Sequence, residues 1–456
     1  MFKRARVDML EGSLTKNLFL FSAPLMLSGI LQLLYNAADI VVVGQFSGYQ
    51  SLAAVSSTSS LISLITNIAM GMSVGVNIIL ARHIGAKNVG RVNRALHTAA
   101  TLSIVIGLIT ALVGFFVSRW ALELMGSPAD VIDKSTLYLK IYFLGTPASI
   151  IYNFGSAALR SSGDTTRPLF FLTASGLVNV SLNLVFVIFF KMDVAGVALA
   201  TIISQYLSAI LVISALRKGH GLLVLNLSSM CFDKAEFREI VRLGIPAAVQ
   251  STTFSLSNVI IQSAVNSFGS SAVIAGNGAA SNIENFIYTV MNAYYQATMT
   301  FTSQNLGAGK IDRIPKIIPR AAMLTIASWG VVTSLVMLFP EQLLNFYTNE
   351  PAAIAKGIER FHLVAATYVL CGIMEISTGV LRGLGHSIVP MIISIVGVCG
   401  IRILWVLTVF QKHHTFKVLF MSYPLSWIPV TLANFILFFI VFKKLKKSTQ
   451  KELVLL

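Results

Sequence analysis

Three carboxylic acids, Asp39, Glu284 and Glu375, stand inside long apolar stretches of this 456-residue chain. An ionised acid at mid-helix in a bilayer costs about 2.5–3.5 kcal/mol on insertion scales, so each is a candidate for chemistry rather than packing. The chemistry open to an isolated buried acid is to exchange a proton or to hold a cation. Asp39 follows Gln32, Tyr35 and Asn36, which form a polar stripe at helical spacing with Ile40, Val41, Val42 and Val43 just beyond it. Asn179 and Asn183 stand one helical turn apart on the face that carries Ser175. They either complete a proton or cation site with Asp39 or hydrogen-bond to neighbouring helices as glue. Glu284, between Asn282 and Asn285, leaves the same two readings open. Glu375 has Arg402 as its obvious partner, so it is half of a structural ion pair or a group that meets an ion or cargo.

Helices of a membrane protein must position these groups. Hydrophobic residues are 55% and charged residues 11% of the chain, with a mean hydropathy of +0.78, more apolar side chain than a soluble core absorbs. Apolar runs near the roughly 18–20 residues of a bilayer crossing recur throughout and predict an all-α integral membrane protein of twelve transmembrane helices. They fall near 17–44, 53–80, 95–118, 136–158, 168–190, 194–215, 243–267, 273–303, 321–340, 361–381, 388–410 and 418–441. The runs are continuous rather than alternating, which excludes a β-barrel.

The net charge of +16 does not point to nucleic acid, because 25 of the 34 Lys and Arg fall in alternate inter-span segments. By the positive-inside rule both termini are expected in the cytoplasm, with a plasma (inner) membrane location. Arg402 is a cation placed within the span 388–410. Lys443, Lys444, Lys446 and Lys447 read as an anchor to membrane lipids.

Unusual residues return after 222 positions. Pro24 returns as Pro246, Gly85-Ala86 as Gly307-Ala308, and Leu159-Arg160, Gly163 and Pro168 as Leu381-Arg382, Gly385 and Pro390. Asn153 is the counterpart of Glu375 at the same offset. Six helices per half give both halves one orientation, hence two six-helix lobes related by a pseudo-twofold along the membrane normal. The expected organisation is an N-terminal lobe at 1–215, a cytoplasmic linker at 216–242 and a C-terminal lobe at 243–456. In transporters of this symmetry the cargo site lies near the midplane and access alternates as the repeats rock, which fits a monomer with a central cleft. Pro24 and Pro246 each remove a helical hydrogen bond and are candidate hinges or static kinks.

No Gly-Lys-Ser/Thr phosphate loop, no metal-ligand spacing among the seven His and three Cys, and no Ser-His-Asp set in a soluble domain point to an enzyme, a metal or a cofactor.

The chain resembles the multidrug and toxic compound extrusion (MATE) transporters over nearly its full length. The resemblance rests on Pro24 with Asp39, Val43-Gly44, Leu52-Ala53-Ala54, Ala81-Arg82-His83-Ile84-Gly85-Ala86, Leu159-Arg160-Ser161-Ser162-Gly163-Asp164, Gln304-Asn305-Leu306-Gly307-Ala308-Gly309 and Leu381-Arg382-Gly383-Leu384-Gly385. It implies export of small organic compounds, often cations, in exchange for H⁺ or Na⁺. Asp39 matches the family's first-helix carboxylate, the protonation site of proton-coupled members, and Pro24 the proline near which that helix bends. Asn179 matches the fifth-helix Asn of that cluster, whereas Asn183 stands where many members carry Asp. In the C-terminal half Gln250 stands on the seventh helix without an acid, and Glu375 is offset from the usual tenth-helix position. A net acidic interior, three mid-span acids against Arg402, further predicts amphipathic cations as cargo. The competing readings are a flippase for lipid-linked precursors, disfavoured by the scarcity of intramembrane cations, and a membrane scaffold that transports nothing.

Overall fold

The computed structural model of the protein describes residues 6–219 and 222–454. The extreme termini and residues 220–221 of the expected linker therefore lie outside the described residues. Among these residues the chain is helical without strands: α1 (Leu14–Phe46), α2 (Gly48–Gly85), α3 (Val89–Leu124), α4 (Ile132–Ser161), α5 (Thr166–Leu184) and α6 (Asp193–Arg217) come first. They are followed by α7 (Lys234–Asn266), α8 (Ser271–Gly307), α9 (Ile314–Leu338), the short α10 (Pro340–Asn345), α11 (Pro351–Leu363) and α12 (Tyr368–Gly383). Last are α13 (Ile388–Ser394), α14 (Ile401–Leu407), the short α15 (Val409–Lys412) and α16 (Phe416–Val454). A π-helical stretch, Val185–Phe189, extends α5, and a second, Ile395–Gly400, joins α13 to α14.

Nine segments among the described residues are long and apolar enough to cross a membrane. The long helices α4, α7 and α8 fall short of that measure because they carry more polar side chains. In α8 these are largely buried, Asn277, Glu284, Thr298, Thr300, Thr302, Ser303, Gln304 and Asn305 among them, so protein rather than lipid surrounds much of the helix.

Two boundaries differ from expectation, each for a physical reason. Helix α7 starts at Lys234, not near 243, because Asp233 caps it: its Oδ1 accepts from the backbone N–H of Ala235 at 2.8 Å and of Glu236 at 3.1 Å. The segment expected from 361 begins at Pro351, which stands at the first helical position, and the charged turns through Lys356, Glu359 and Arg360 are helix rather than outer loop.

The described chain divides into two compact units. Unit 1 is Leu27–Ala248 with Arg6 and Val7; unit 2 is Asp8–Met26 and the chain from Val249 onward. Helices α1 and α7 thus change unit two residues beyond Pro24 and Pro246 respectively, and each helix runs through its proline.

Within unit 1, α7 lies against α2 at backbone contact. A Cβ on Gly71 would stand 2.3 Å from the Ala248 backbone, and one on Gly75 2.3 Å from the Ile240 carbonyl oxygen. Side chains at these points would force the helices apart. Beside this crossing His83 Nε2 meets Glu236 Oε2 at 3.0 Å, both buried.

The 222-residue repeat has a backbone counterpart. Gly163 and Gly385 turn the chain with φ of +86° and +91°, and Lys87 and Gly309 do so with +53° and +69°. Ala86 and Ala308 close α2 and α8 with the same pair of backbone bonds, to residues four and two earlier. Matched helix ends are what a duplicated sequence requires.

Candidate functional site

In unit 1, α1, α5 and α6 bring a polar cluster together inside apolar walls. Asn183 Nδ2 donates to Asp39 Oδ1 at 2.5 Å and lies 3.4 Å from Asn179 Oδ1, and Asn179 Nδ2 points to Thr201 Oγ1 at 3.4 Å. Asn179 and Asn183 are buried and Asp39 is half-buried. The Asn183 Oδ1 atom is buried without a hydrogen-bond partner. Tyr138 and Tyr142 of α4, ring centroids 6.3 Å apart, stand within electrostatic reach of Asp39. Val42, Val43, Val187, Val194, Val197 and Ala198 pack beside Tyr138 in the same apolar cluster.

The remaining residues expected here are placed differently. Tyr35 reaches α5, its hydroxyl 3.4 Å from the Thr173 carbonyl, over a face left open by Gly176, whose Cβ would fall inside the ring. Gln32 and Asn36 are exposed on their unit. Asn153 donates within its own helix, to the Ser149 carbonyl at 2.9 Å, and among the described residues it makes no hydrogen bond to the Asp39 cluster.

Unit 2 holds two polar centres and one separate cation. Glu284 of α8 is paired with Arg360 of α11: Nε to Oε1 is 3.0 Å and Nη2 to Oε2 2.7 Å, a two-pronged bond. The third guanidinium nitrogen donates to Asn277, which in turn donates to Gln262 at 3.0 Å. Gln250 of α7 accepts from Arg382 Nη2 at 2.8 Å, and Nη1 donates to the Tyr295 hydroxyl. Glu375 is buried within electrostatic reach of Arg382, Tyr288 and Tyr295. Among the described residues no ion pair joins it to Arg402, which instead donates from Nε to Ser426 at 3.2 Å and lies over the Tyr423 ring.

The expected charge balance is corrected accordingly. Arg360, Arg382 and Arg402 are 5%, 5% and 6% exposed, so among the described residues of unit 2 three arginines rather than one are buried. Both Arg360 and Arg382 fall between the spans expected from hydropathy, yet they lie on helices, α11 and α12. A surplus of negative charge does not follow from that count, nor does a preference for cations.

Thr201, Tyr138 and Tyr142 were missed by sequence reasoning. A threonine or tyrosine in an apolar helix carries little insertion penalty and so gives no signal of its own. The weak cue for Tyr138 and Tyr142 was their i, i+4 spacing. Among the described residues no group of His, Cys, Asp and Glu is arranged to hold a metal, and Cys231, Cys371 and Cys399 are free thiols.

Comparison with known proteins extends these observations to a family. The MatE family model matches residues 24–185 and again 246–408, so the two matched copies begin at the paired prolines. Probable multidrug resistance protein YoeA of Bacillus subtilis (strain 168) is 28% identical over 400 residues, 86% of either chain. Probable multidrug resistance protein YpnP of the same organism is 27% identical over 395 residues, 87% of this chain and 88% of its own. In fold, the crystal structure of a MATE in complex with MaL6 superposes with a TM-score of 0.91 at 20% identity, over 98% of this chain and all of that one. With most of a helical, multi-span membrane chain matched twice by one model, the protein belongs to the MatE family and is a MATE transporter.

Proposed function

We propose that this transporter is a secondary active multidrug exporter that exchanges H⁺ for amphipathic organic compounds, organic cations among them, without altering them chemically. The observation that carries the reading is the Asp39–Asn183–Asn179–Thr201 cluster: one titratable acid, held by an amide donor, on a helix that changes unit next to Pro24. A proton needs only the carboxylate, whereas Na⁺ would need several oxygen ligands, and the Asn183 contact offers Asp39 an N–H. Protonating Asp39 weakens its claim on the Asn183 amide and frees α1 to rearrange about Pro24. Deprotonation restores the bond. Coupling follows if cargo and proton favour different arrangements of α1, since a ligand shifts an equilibrium only by its differential affinity.

The wider arrangement proposed is twelve crossing helices in two six-helix lobes, as a monomer in the plasma membrane with both termini cytoplasmic and access alternating between its faces. The exposed Lys443, Lys444, Lys446 and Lys447 suit anionic headgroups on that side. A flippase for lipid-linked diphosphates is not favoured, because protein groups already hold two of the three buried arginines.

Proteoliposomes loaded with tetraphenylphosphonium, under separately imposed pH and Na⁺ gradients, test the proposal. Efflux driven by the pH gradient and lost in Asp39→Asn is expected. Efflux driven by Na⁺ alone reassigns the coupling ion, and none under either gradient removes the exporter reading.

A further inference from the structure

His83 and Asn305 are counterparts at the 222-residue offset, each two residues before the glycine that ends α2 or α8. Both hold the entry to a helix that contains one of the paired prolines. His83 Nε2 lies 3.0 Å from Glu236 Oε2 in the first turn of α7, and Asn305 Nδ2 donates at 3.0 Å to the carbonyl of Met9, just ahead of α1. The first contact lies within unit 1 and the second within unit 2. His83, Glu236 and Asn305 are 7%, 6% and 0% exposed, so each contact is shielded from water. One position of the repeat thus serves twice, to fasten the part of α1 or α7 that precedes its proline.

The two contacts differ in chemistry. An amide and a carbonyl keep the same bond across the physiological pH range. An imidazole and a carboxylate share a single hydrogen bond while the ring is neutral and become an ion pair once it takes a proton. The other charged groups about His83 are Arg82 on its own helix, Lys87 in the turn beyond it, and Glu239 and Arg242 on α7. Arg82 Nη1 stands 3.8 Å from Glu239 Oε2, and where α3 meets the residues before α7, Arg94 Nε stands 3.5 Å from Asp233 Oδ2. Arginine, lysine and water-exposed carboxylates hold their charge between pH 6 and 8, which leaves the imidazole as the group that changes.

We propose that His83 and Glu236 form a proton-operated clasp that sets how readily the first half of α7 parts from α2, tightening as the solution on that side turns acid. Protonation of His83 adds the attraction of opposite charges to the hydrogen bond, whereas the crossing at Gly71 and Gly75 depends on shape alone and does not respond to pH. The inference rests on the exporter reading with this end of α2 in the cytoplasm. Protons carried in by transport then tighten the clasp and slow the opening that begins the next cycle, a brake on the exporter's own proton intake. The Asn305–Met9 contact, built without a titratable group, gives the other half no such control.

Nitroxide labels at the exposed positions Asn93 on α3 and Arg238 on α7, in a cysteine-free full chain in nanodiscs, read the clasp as a distance by pulsed electron resonance. From pH 8 to pH 6 the ratio of parted to clasped molecules should fall about three- to tenfold in wild type. His83→Asn, which installs the residue of the other half, should abolish that response. Glu236→Gln should reverse it, because a protonated ring facing an amide gains more from water than from the clasp. A wild-type ratio that does not change with pH overturns the inference. A response that survives His83→Asn overturns it as well, since it then arises from another group such as Asp39 or His97. Should His83→Asn not fold, Glu236→Gln decides, and an unaltered response in that variant refutes the clasp. The distances need neither cargo nor gradient, whereas tetraphenylphosphonium efflux under a pH gradient tests the exporter reading, so the two fail independently.

Discussion

Replacing Glu284 by Leu removes two of the three polar contacts of the Arg360 guanidinium, at 3.0 and 2.7 Å, and leaves only its bond to Asn277. The arginine is 5% exposed, with Phe420 beneath it at 4.6 Å, so water cannot take the place of the lost oxygens. Breaking a buried pair from one side strands a charge and costs about 3–5 kcal/mol. Removing both charges, as in Glu284→Leu with Arg360→Met, strands nothing and is expected to return stability to within about 1 kcal/mol of wild type. Denaturant unfolding of the four proteins in one detergent gives the coupling energy directly. Because the pair joins α8 to α11 and is fully occupied by protein groups, the double variant should also retain pH-driven efflux. A single variant that loses less than about 1 kcal/mol would refute the energetic argument. A stable double variant without efflux would refute the assignment of the pair to structure.

Asp39→Asn should keep the contact with Asn183 and the fold yet abolish gradient-driven export; export that persists places coupling elsewhere. Glu375→Gln is expected to weaken export to a degree that depends on cargo charge, and equal losses for neutral and cationic cargo would remove that role. Gly75→Val should lower stability by about 1–3 kcal/mol, because its Cβ would fall 2.3 Å from the Ile240 carbonyl; an unchanged unfolding midpoint counts against the close crossing. Asp233 lies outside the spans, and the backbone N–H of Glu236, with that of Ala235 and the charge of Arg94, holds its carboxyl below the usual range. Its capping of α7 is therefore complete above the ordinary carboxylate pKa and fades as pH falls through the lowered one. Hydrogen-exchange protection of residues 235–237 should weaken only below about pH 4, and loss at higher pH would contradict this sign.

The groups legible in the sequence were those whose presence in an apolar run is expensive. Asp39, Asn179 and Asn183 stood out against valine and leucine, and their helical spacing announced a shared face that the fold assembles into one cluster. Arg360 was illegible because Lys356, Glu359 and Arg360 lower local hydropathy, and a charged helical turn and a loop look alike by that measure. Its link to Glu284 spans 76 residues, a distance at which spacing says nothing. Gln250 was visible as polar, but its partner Arg382 stands at a helix end that read as an inner loop. The change of unit along α1 and α7 had only Pro24 and Pro246 as a cue, and a proline does not say what lies on either side of it.

The first helix carries a consequence for the order of synthesis. Its lead-in is held by residues from far along the chain: Asn305 donates to the Met9 carbonyl at 3.0 Å, Lys310 to that of Leu10 at 3.1 Å, and Phe21 lies edge-on to Phe301 at 5.6 Å. A ribosome adding about 5–20 residues per second reaches those partners only after an interval on the order of 15–60 s. Through that interval Asp8–Met26 is in the bilayer or at its surface without the contacts that finally fix it, while the rest of α1 can already meet α5. The segment that emerges first is thus among the last to be secured. A translational pause ahead of residue 305 would lengthen this exposure, and crosslinking Met9 to Asn305 in stalled chains of increasing length would time its end.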